Sequence, residues 1–202
     1  MEALGRRFAR LATNAVVRWP RLWPLFRPLI RRMFDRIAPV WDATLLEDSL
    51  ASYEAALERI PGPVERALDV GTGTGAGARV LRARFPSAEV VGTDLAPEML
   101  AEARRLAPDL TFVEGDASRL PFDNESFDLV AHENMIPFLD EVARVLRPGG
   151  WTIFAFSSGP QTPIWVEPHR LRSELERRGF ADFAEIAAGR GAAVLARRDE
   201  RD

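Results

Sequence analysis

The chain divides by pattern into two unequal parts. In the first, Leu4, Phe8, Leu11, Ala12, Ala15, Val16 and Trp19 recur at spacings of three and four, so one face of a helix carries them all. Arg6, Arg7, Arg10 and Arg18 fall largely on the other faces. Pro20, Pro24 and Pro28 then interrupt the period, which predicts a helix over 2–18, a kinked linker, and a second helix from about Pro28 to Ile37.

From residue 64 short apolar runs alternate with helical stretches. Strands are predicted at 67–70, 89–94, 110–116, 127–133 and 151–157, and helices over 76–84, 97–106, 139–146 and 168–178. Pro97 suits the first turn of its helix, and Arg147-Pro148-Gly149-Gly150 is a strong stop. His169, beside Pro168, reads as part of a helix start, and Gly179 closes that helix. Two further runs, 182–188 and 192–197, flank Gly189-Arg190-Gly191 and predict a hairpin. The alternation implies an α/β class: a Rossmann-like, doubly wound, mostly parallel seven-stranded sheet with an antiparallel C-terminal hairpin and an N-terminal helical arm. The expected division is an arm or lid over 1–60 and a ligand-binding domain over 61–202.

Composition narrows the chemistry. The 202 residues are 47% hydrophobic and 28% charged, as in an ordinary globular protein. There is no cysteine, which excludes disulfides, thiolate zinc sites and a cysteine nucleophile. With only His132 and His169 as imidazoles, no metal site is expected. No apolar run spans a bilayer and no cleavable signal pattern opens the sequence, so the expected address is cytoplasmic. All 27 basic residues are arginine, and the net charge of −3 is unevenly spread. Residues 1–40 carry a balance of +7 and the remainder −10. Two readings of the arm follow: a lid docked on its own acidic domain, or a peripheral membrane helix with Trp19, Trp23 and Phe26 among arginines. The acidic whole argues against nucleic acid.

In sheets of this kind a ligand lies beyond the carboxyl ends of the strands. The first strand runs straight into Gly71-Thr72-Gly73-Thr74-Gly75-Ala76-Gly77, where glycines let a ligand lie against bare backbone at a helix start. A nicotinamide-dependent oxidoreductase is one reading: Gly73 to Ala78 fits G-x-G-x-x-A, and Asp94 lies 21 residues beyond Gly73. Asp69, just before the loop, argues against it, because an anion there repels a pyrophosphate. It suits a ligand with an ammonium group, and S-adenosylmethionine carries both an ammonium and a carboxylate.

The motifs also resemble, in order, those of the class I S-adenosylmethionine-dependent methyltransferases. LDVGTGTG resembles that family's first motif, VVGTDLAPEML its second-strand segment, VEGDASRLPFDNESFDLV its third and fourth strands, and EVARVLRPGGW the helix and turn before its fifth strand. Upstream, FDRIAPVWD resembles a segment of the small-molecule methyltransferases of the quinone-biosynthesis type. The resemblance implies a methyltransferase with S-adenosylmethionine as cofactor. Asp69 and the backbone at Gly71, Gly73 and Gly75 would hold the methionine moiety, and Asp94 the ribose hydroxyls. Leu95 would pack on the adenine, Asp116 would accept its amino group, and Ala117 would supply a backbone N–H.

His132, Glu133 and Asn134 end the fourth strand, where cofactor and acceptor meet in the family. His132 and Glu133 are the candidate catalytic bases, needed only if the acceptor must lose a proton. Asn134 is expected to touch the methionine end. Many relatives carry a histidine pair where this chain has Pro137 and Phe138, and a tyrosine where it has Trp41, departures that weaken a quinone-type substrate. Phe34, Trp41, Ile164 and Trp165 are expected to line an apolar acceptor pocket. The predicted activity is methyl transfer to a small apolar molecule by direct displacement, with a non-catalytic cofactor-binding module as a further alternative.

Overall fold

The computed structural model describes residues 2–44 and 48–200, excepting the side chains of 2–8 and 44. Leu4, Phe8, Arg6 and Arg7 of the predicted arm face thus lie outside the described side chains. The arm is two helices, α1 (Glu2–Arg18) and α2 (Trp23–Ile37), joined by one 3-10 turn at Pro20–Leu22. α2 starts at Trp23 rather than Pro28. Pro24 sits in the first turn, where a missing N–H costs little, and Pro28 removes a single helical bond. Two more 3-10 turns, Ala38–Val40 and Asp42–Thr44, lead towards α3 (Ala51–Leu57), a helix in a stretch where no element was predicted.

The alternating part follows as β1 (Arg66–Val70), α4 (Ala76–Arg84), β2 (Glu89–Asp94), α5 (Pro97–Leu106), β3 (Thr111–Glu114), β4 (Phe127–Glu133), α6 (Leu139–Val145), β5 (Leu146–Phe156), α7 (Pro168–Glu176), β6 (Phe180–Ala188) and β7 (Gly191–Arg198). The predicted stop at Arg147–Gly150 holds, since α6 ends at Val145, and the same run opens β5. Its pairing with β4 slips from Phe127↔Leu146 to Leu129↔Trp151, a bulge that Gly149 accommodates at φ 77°.

The seven strands lie in the order β3-β2-β1-β4-β5-β7-β6, parallel except for the β5–β7 and β7–β6 pairs. The order reverses between β1 and β4. Register aligns Val70 with Thr93 on one side and with His132 on the other. The chain therefore leaves the sheet at one level through Gly71, Asp94 and Glu133. Strand alternation then assigns faces. Ala67, Val90, Leu129 and Ala131 pack against Tyr53 of α3 and against α4 and α5, whereas Leu68, Val91 and Val130 face α6, α7 and the arm. Asp69, Asp94 and Glu133 stand an even number of places from the first set, so all three carboxylates fall on the α3–α4–α5 side.

The arm docks on the other layer. Val16 and Trp23 are buried in the same cluster as Phe138, Leu139 and Leu171. The predicted apolar stripe of α1 is split by this docking: Leu11 and Trp19 face solvent, while Thr13 and Val16 face inward. Arg10 accounts for the rotation, because its guanidinium donates to the carbonyls of Pro160 and Thr162, the latter at 2.7 Å.

Gly75 begins α4 with φ 84°, and a Cβ there would stand 2.9 Å from the ring of buried Phe112. Left-handed backbone and a fixed aromatic neighbour both oppose a side chain. Gly75→Ala is expected to lower unfolding free energy by about 2–4 kcal/mol, read from urea denaturation followed by circular dichroism.

Candidate functional site

The glycine loop is held from beneath by Asp69. This carboxylate is 2% exposed and accepts the Thr72 hydroxyl at 2.6 Å, the backbone N–H of Ala78, and a long 3.4 Å bond from the Tyr53 hydroxyl. Gly77 lies so close that a Cβ would meet both carboxylate oxygens at 2.8 Å. Asp69 was expected to face a ligand's ammonium; its enclosure makes it a brace of the loop, which acts on a ligand through its field. Burial raises its pKa to about 6.

Asp94 ties the loop to β2. One oxygen accepts the N–H of Gly73 at 2.9 Å and the other the N–H of Ala96 at 2.9 Å. The Leu95 N–H is a third donor to this carboxylate, which leaves one of its four lone-pair sites for a hydroxyl. Burial raises its pKa, against the pull of these N–H groups. Above the loop, the Thr74 hydroxyl donates to Asp42, and the Trp41 ring lies where a Cβ on Gly73 would meet its Nε1 at 3.5 Å. Gly71 is covered in the same way by Met135, whose sulfur would stand 2.8 Å from a Cβ.

The end of β4 separates the two predicted bases. His132 is 2% exposed, stacked on Phe154 at 4.6 Å, with Nδ1 3.2 Å from the Ile153 carbonyl. A carbonyl only accepts, so Nδ1 carries the proton there. Burial lowers the His132 pKa to about 4. His132 is thus a neutral core residue and the expectation of a catalytic base is corrected: strand alternation turns it to the face opposite Glu133. Glu133, only partly buried, has its pKa raised to about 8, first by desolvation and then by the charge of Asp69. Asn134 adopts φ 50°, which asparagine tolerates. Its amide donates to Ser157 Oγ at 2.9 Å and to Glu133 at 3.2 Å, while its oxygen accepts the Ser157 N–H at 3.0 Å. The side chain expected at the methionine end instead locks β4 to β5 and orients Glu133.

Asp116 begins a turn, accepting the Ser118 N–H at 2.9 Å. Its carboxylate also takes Trp23 Nε1 at 2.8 Å and Arg27 at 3.1 Å, both from α2. Despite burial, the bonds from Ser118, Arg27 and Trp23 hold its pKa below the ordinary range. Ala117 is buried beside it, and Leu95 packs on the arm-side core.

The four predicted pocket residues separate into two groups. Phe34 and Trp41 meet edge to face at 5.6 Å beside Ala96 and Met99. Trp165 stacks edgewise on Phe156 at 5.0 Å, and Ile164 packs on that second core. Trp165 also borders an apolar cavity of about 140 Å³ with Phe156, Ile186 and Val194, against β7 and the edge strand β6.

Sequence reasoning missed Tyr53, which stands beneath Asp69 and Glu133 with its pKa raised by burial and by both charges. The signal was present: Leu50, Tyr53 and Leu57 have helical spacing, and this is the chain's one tyrosine. Met135 and Asp42 were missed for lack of any local pattern. The result is a bare-backbone cradle rimmed by acids, in which the charge of Asp69 raises the proton affinity of Glu133 and that of Asp94 raises the proton affinity of Asp69. Such a site fits a ligand that is cationic near the glycine loop and carries a diol near Asp94.

Comparison with known proteins agrees. Residues 67–150 match a family described as a methyltransferase domain. The demethylmenaquinone methyltransferase of Chlorobaculum tepidum is 40% identical over 140 residues, covering 61% of this chain and 57% of that protein. The phthiotriol/phenolphthiotriol dimycocerosates methyltransferase 1 of Mycobacterium ulcerans is 34% identical over 175 residues, 74% of this chain and 64% of that protein. The chain therefore spans about three-fifths of the length of these curated relatives. Among solved structures, a putative methyltransferase in complex with the Haloferax volcanii Trm112 activator superposes with TM-score 0.70 at 23% identity, over 82% of this chain and 97% of that one. An S-adenosylmethionine-dependent methyltransferase from Aquifex aeolicus gives 0.63 at 19%, over 74% and 90%. At these identities the two structures establish the fold.

Glu133 has a pH consequence. A carboxyl whose pKa is about 8 when folded stabilises the fold fully below its ordinary value near 4.5 and loses that contribution as pH rises towards 8. Denaturation at pH 5 and pH 8 is expected to show Glu133→Gln retaining roughly 1–3 kcal/mol that the parent loses, solvent at the mouth screening the rest.

Proposed function

Because residues 67–150 match a methyltransferase-domain family and the similar curated proteins are methyltransferases by name, we propose that the chain is a class I S-adenosylmethionine-dependent methyltransferase that binds S-adenosylmethionine across the glycine loop and methylates a small apolar molecule. The observation that carries this is the buried acid pair at the strand reversal. Asp69 and Glu133 repel each other in a partly dry site, and a positive charge placed against them relieves that cost. A pyrophosphate would add to it, which disfavours a nicotinamide dinucleotide. When bound, S-adenosylmethionine supplies an electrophilic methyl group on a positively charged sulfur.

The chain's own residues do the positioning. The backbone of Gly71, Gly73 and Gly75 leaves room beside the loop, and the Asp94 carboxylate, already holding the N–H groups of Gly73, Leu95 and Ala96, turns its remaining acceptor capacity to the ribose hydroxyls. Asp116 and the Ala117 backbone, with Leu95, form the adenine end of the site. Trp41 and Met135 close over the loop and exclude water. Glu133, oriented by Asn134, is the group that would take a proton from an acceptor that must lose one. The lid is the arm within 1–60, resting on a cofactor-binding domain at 61–202.

The acceptor class rests on the relatives, which act on demethylmenaquinone and on phthiotriol lipids by their names, and on the aromatic side chains about the site. Titration calorimetry should show S-adenosylhomocysteine binding and no NAD or NADP binding. Asp94→Asn should weaken S-adenosylhomocysteine by roughly 2–3 kcal/mol, the cost of a charge-assisted contact. Binding of nicotinamide cofactors alone would overturn the proposal, and methyl transfer to a panel of apolar phenols and quinones separates an enzyme from an inert binding module.

We further propose a cytoplasmic protein that touches membranes peripherally through the arm. Among the described residues no helix is long and apolar enough to cross a membrane. α2 nevertheless turns Leu25 and Leu29 outward, 74% and 61% exposed, with Met33 beside them and Arg32 and Arg36 interleaved. Trp19 and Arg21 extend the same exposed surface. None of Arg21, Arg32 and Arg36 has a carboxylate within ion-pair distance among the described residues. Apolar side chains amid unpaired arginines suit an anionic lipid surface. Full-length protein should float with phosphatidylglycerol-containing vesicles at low salt, and Leu25→Ser/Leu29→Ser should stay with the buffer. Parent protein that also stays with the buffer sinks the membrane contact.

A further inference from the structure

The inner face of α2 carries a different message from its outer face. Trp23 and Arg27 both spend their donors on Asp116, at 2.8 and 3.1 Å. With the Ser118 N–H at 2.9 Å, both lone pairs of Asp116 Oδ1 are filled. Arg31 adds a contact to Glu114 at 3.3 Å, on the strand leading into Asp116. The Trp23 indole is 4% exposed and meets Phe138 edgewise at 5.2 Å. Leu95 packs against the same cluster as Trp23, Ile136 and Phe138. The carboxylate end of the adenine seat is thus engaged with the arm, and its apolar wall belongs to the core on which the arm docks.

We propose that α2 is an intrasteric plug: the docked arm and a bound adenine compete for Asp116 and its surroundings, so the cofactor enters only when Trp23 and Arg27 let go. The inference rests on the reading that the chain binds S-adenosylmethionine. It adds that part of the binding free energy is used to displace the chain's own helix, lowering apparent affinity by the fraction of molecules with the arm released. The charge division has a local meaning here, since the arm's arginines meet the carboxylates of the adenine end.

The test is titration of full-length parent, Trp23→Phe/Arg27→Gln and Asp116→Asn with S-adenosylhomocysteine. A plug predicts that the double variant binds about fivefold tighter than parent or better, because the competitor's hold is removed, while Asp116→Asn binds more weakly. If parent binds and the double variant binds equally or less tightly, α2 is a wall of the site and the plug is refuted while the cofactor reading stands. If no chain binds, both fall together. Hydrogen exchange on the parent needs no variant. Saturating S-adenosylhomocysteine should speed exchange at α2 amides, and protection of α2 instead would overturn the plug.

Discussion

The buried carboxylate of Asp69 is the interaction on which the site depends. An acid on a central strand, 2% exposed, must find donors close by, and it finds them in the Thr72 hydroxyl and the N–H of Ala78. Those bonds bend the chain back over the end of β1 and set α4 on its axis. Gly77 is obligatory there because the carboxylate fills the space of any side chain. Asp94 completes the loop from the next strand by holding Gly73. The cradle is therefore a consequence of satisfying two buried acids with backbone donors.

The same acids shape the site's electrostatics. Parallel register brings Asp94 and Glu133 to one level, with Asp69 two residues below them on the same face, and burial denies them the water that would screen their repulsion. A site so charged favours cations and resists phosphates, which separates two ligand classes that glycine spacing alone leaves together. Its mouth then attracts the nearest positive element, and in this chain that is the arm. α2 answers Asp116 and Glu114 with Arg27 and Arg31 on its inner face. Its outer face keeps arginines without such partners, among the described residues, beside exposed leucines.

Much of the frame was legible because its signals are local. Strand alternation, the glycine cluster, Pro97 and the Gly189–Gly191 turn each reflect physics within a few residues. The failures share a cause. Pro28 looks like a break, yet the surrounding helix absorbs the one lost hydrogen bond. His132 looked like a base because titratability is a property of the residue type, whereas its neutrality comes from burial against Phe154 and the core around it, which outweighs the opposite pull of the Ile153 carbonyl. Asn134 likewise finds Ser157 only once β4 and β5 pair.

By itself the sequence determined the order and kind of the elements and placed three acids and a glycine loop at the ends of strands, since backbone preference and side-chain period act over short distances. Only the tertiary structure decided which of those groups can act. Burial and partner choice set whether Asp69 is a ligand or a brace, whether His132 or Glu133 can move a proton, and whether Asp116 is open to a ligand or held by Trp23 and Arg27. Protonation and accessibility depend on what stands within a few ångströms in space, and that is fixed by residues far apart in the chain.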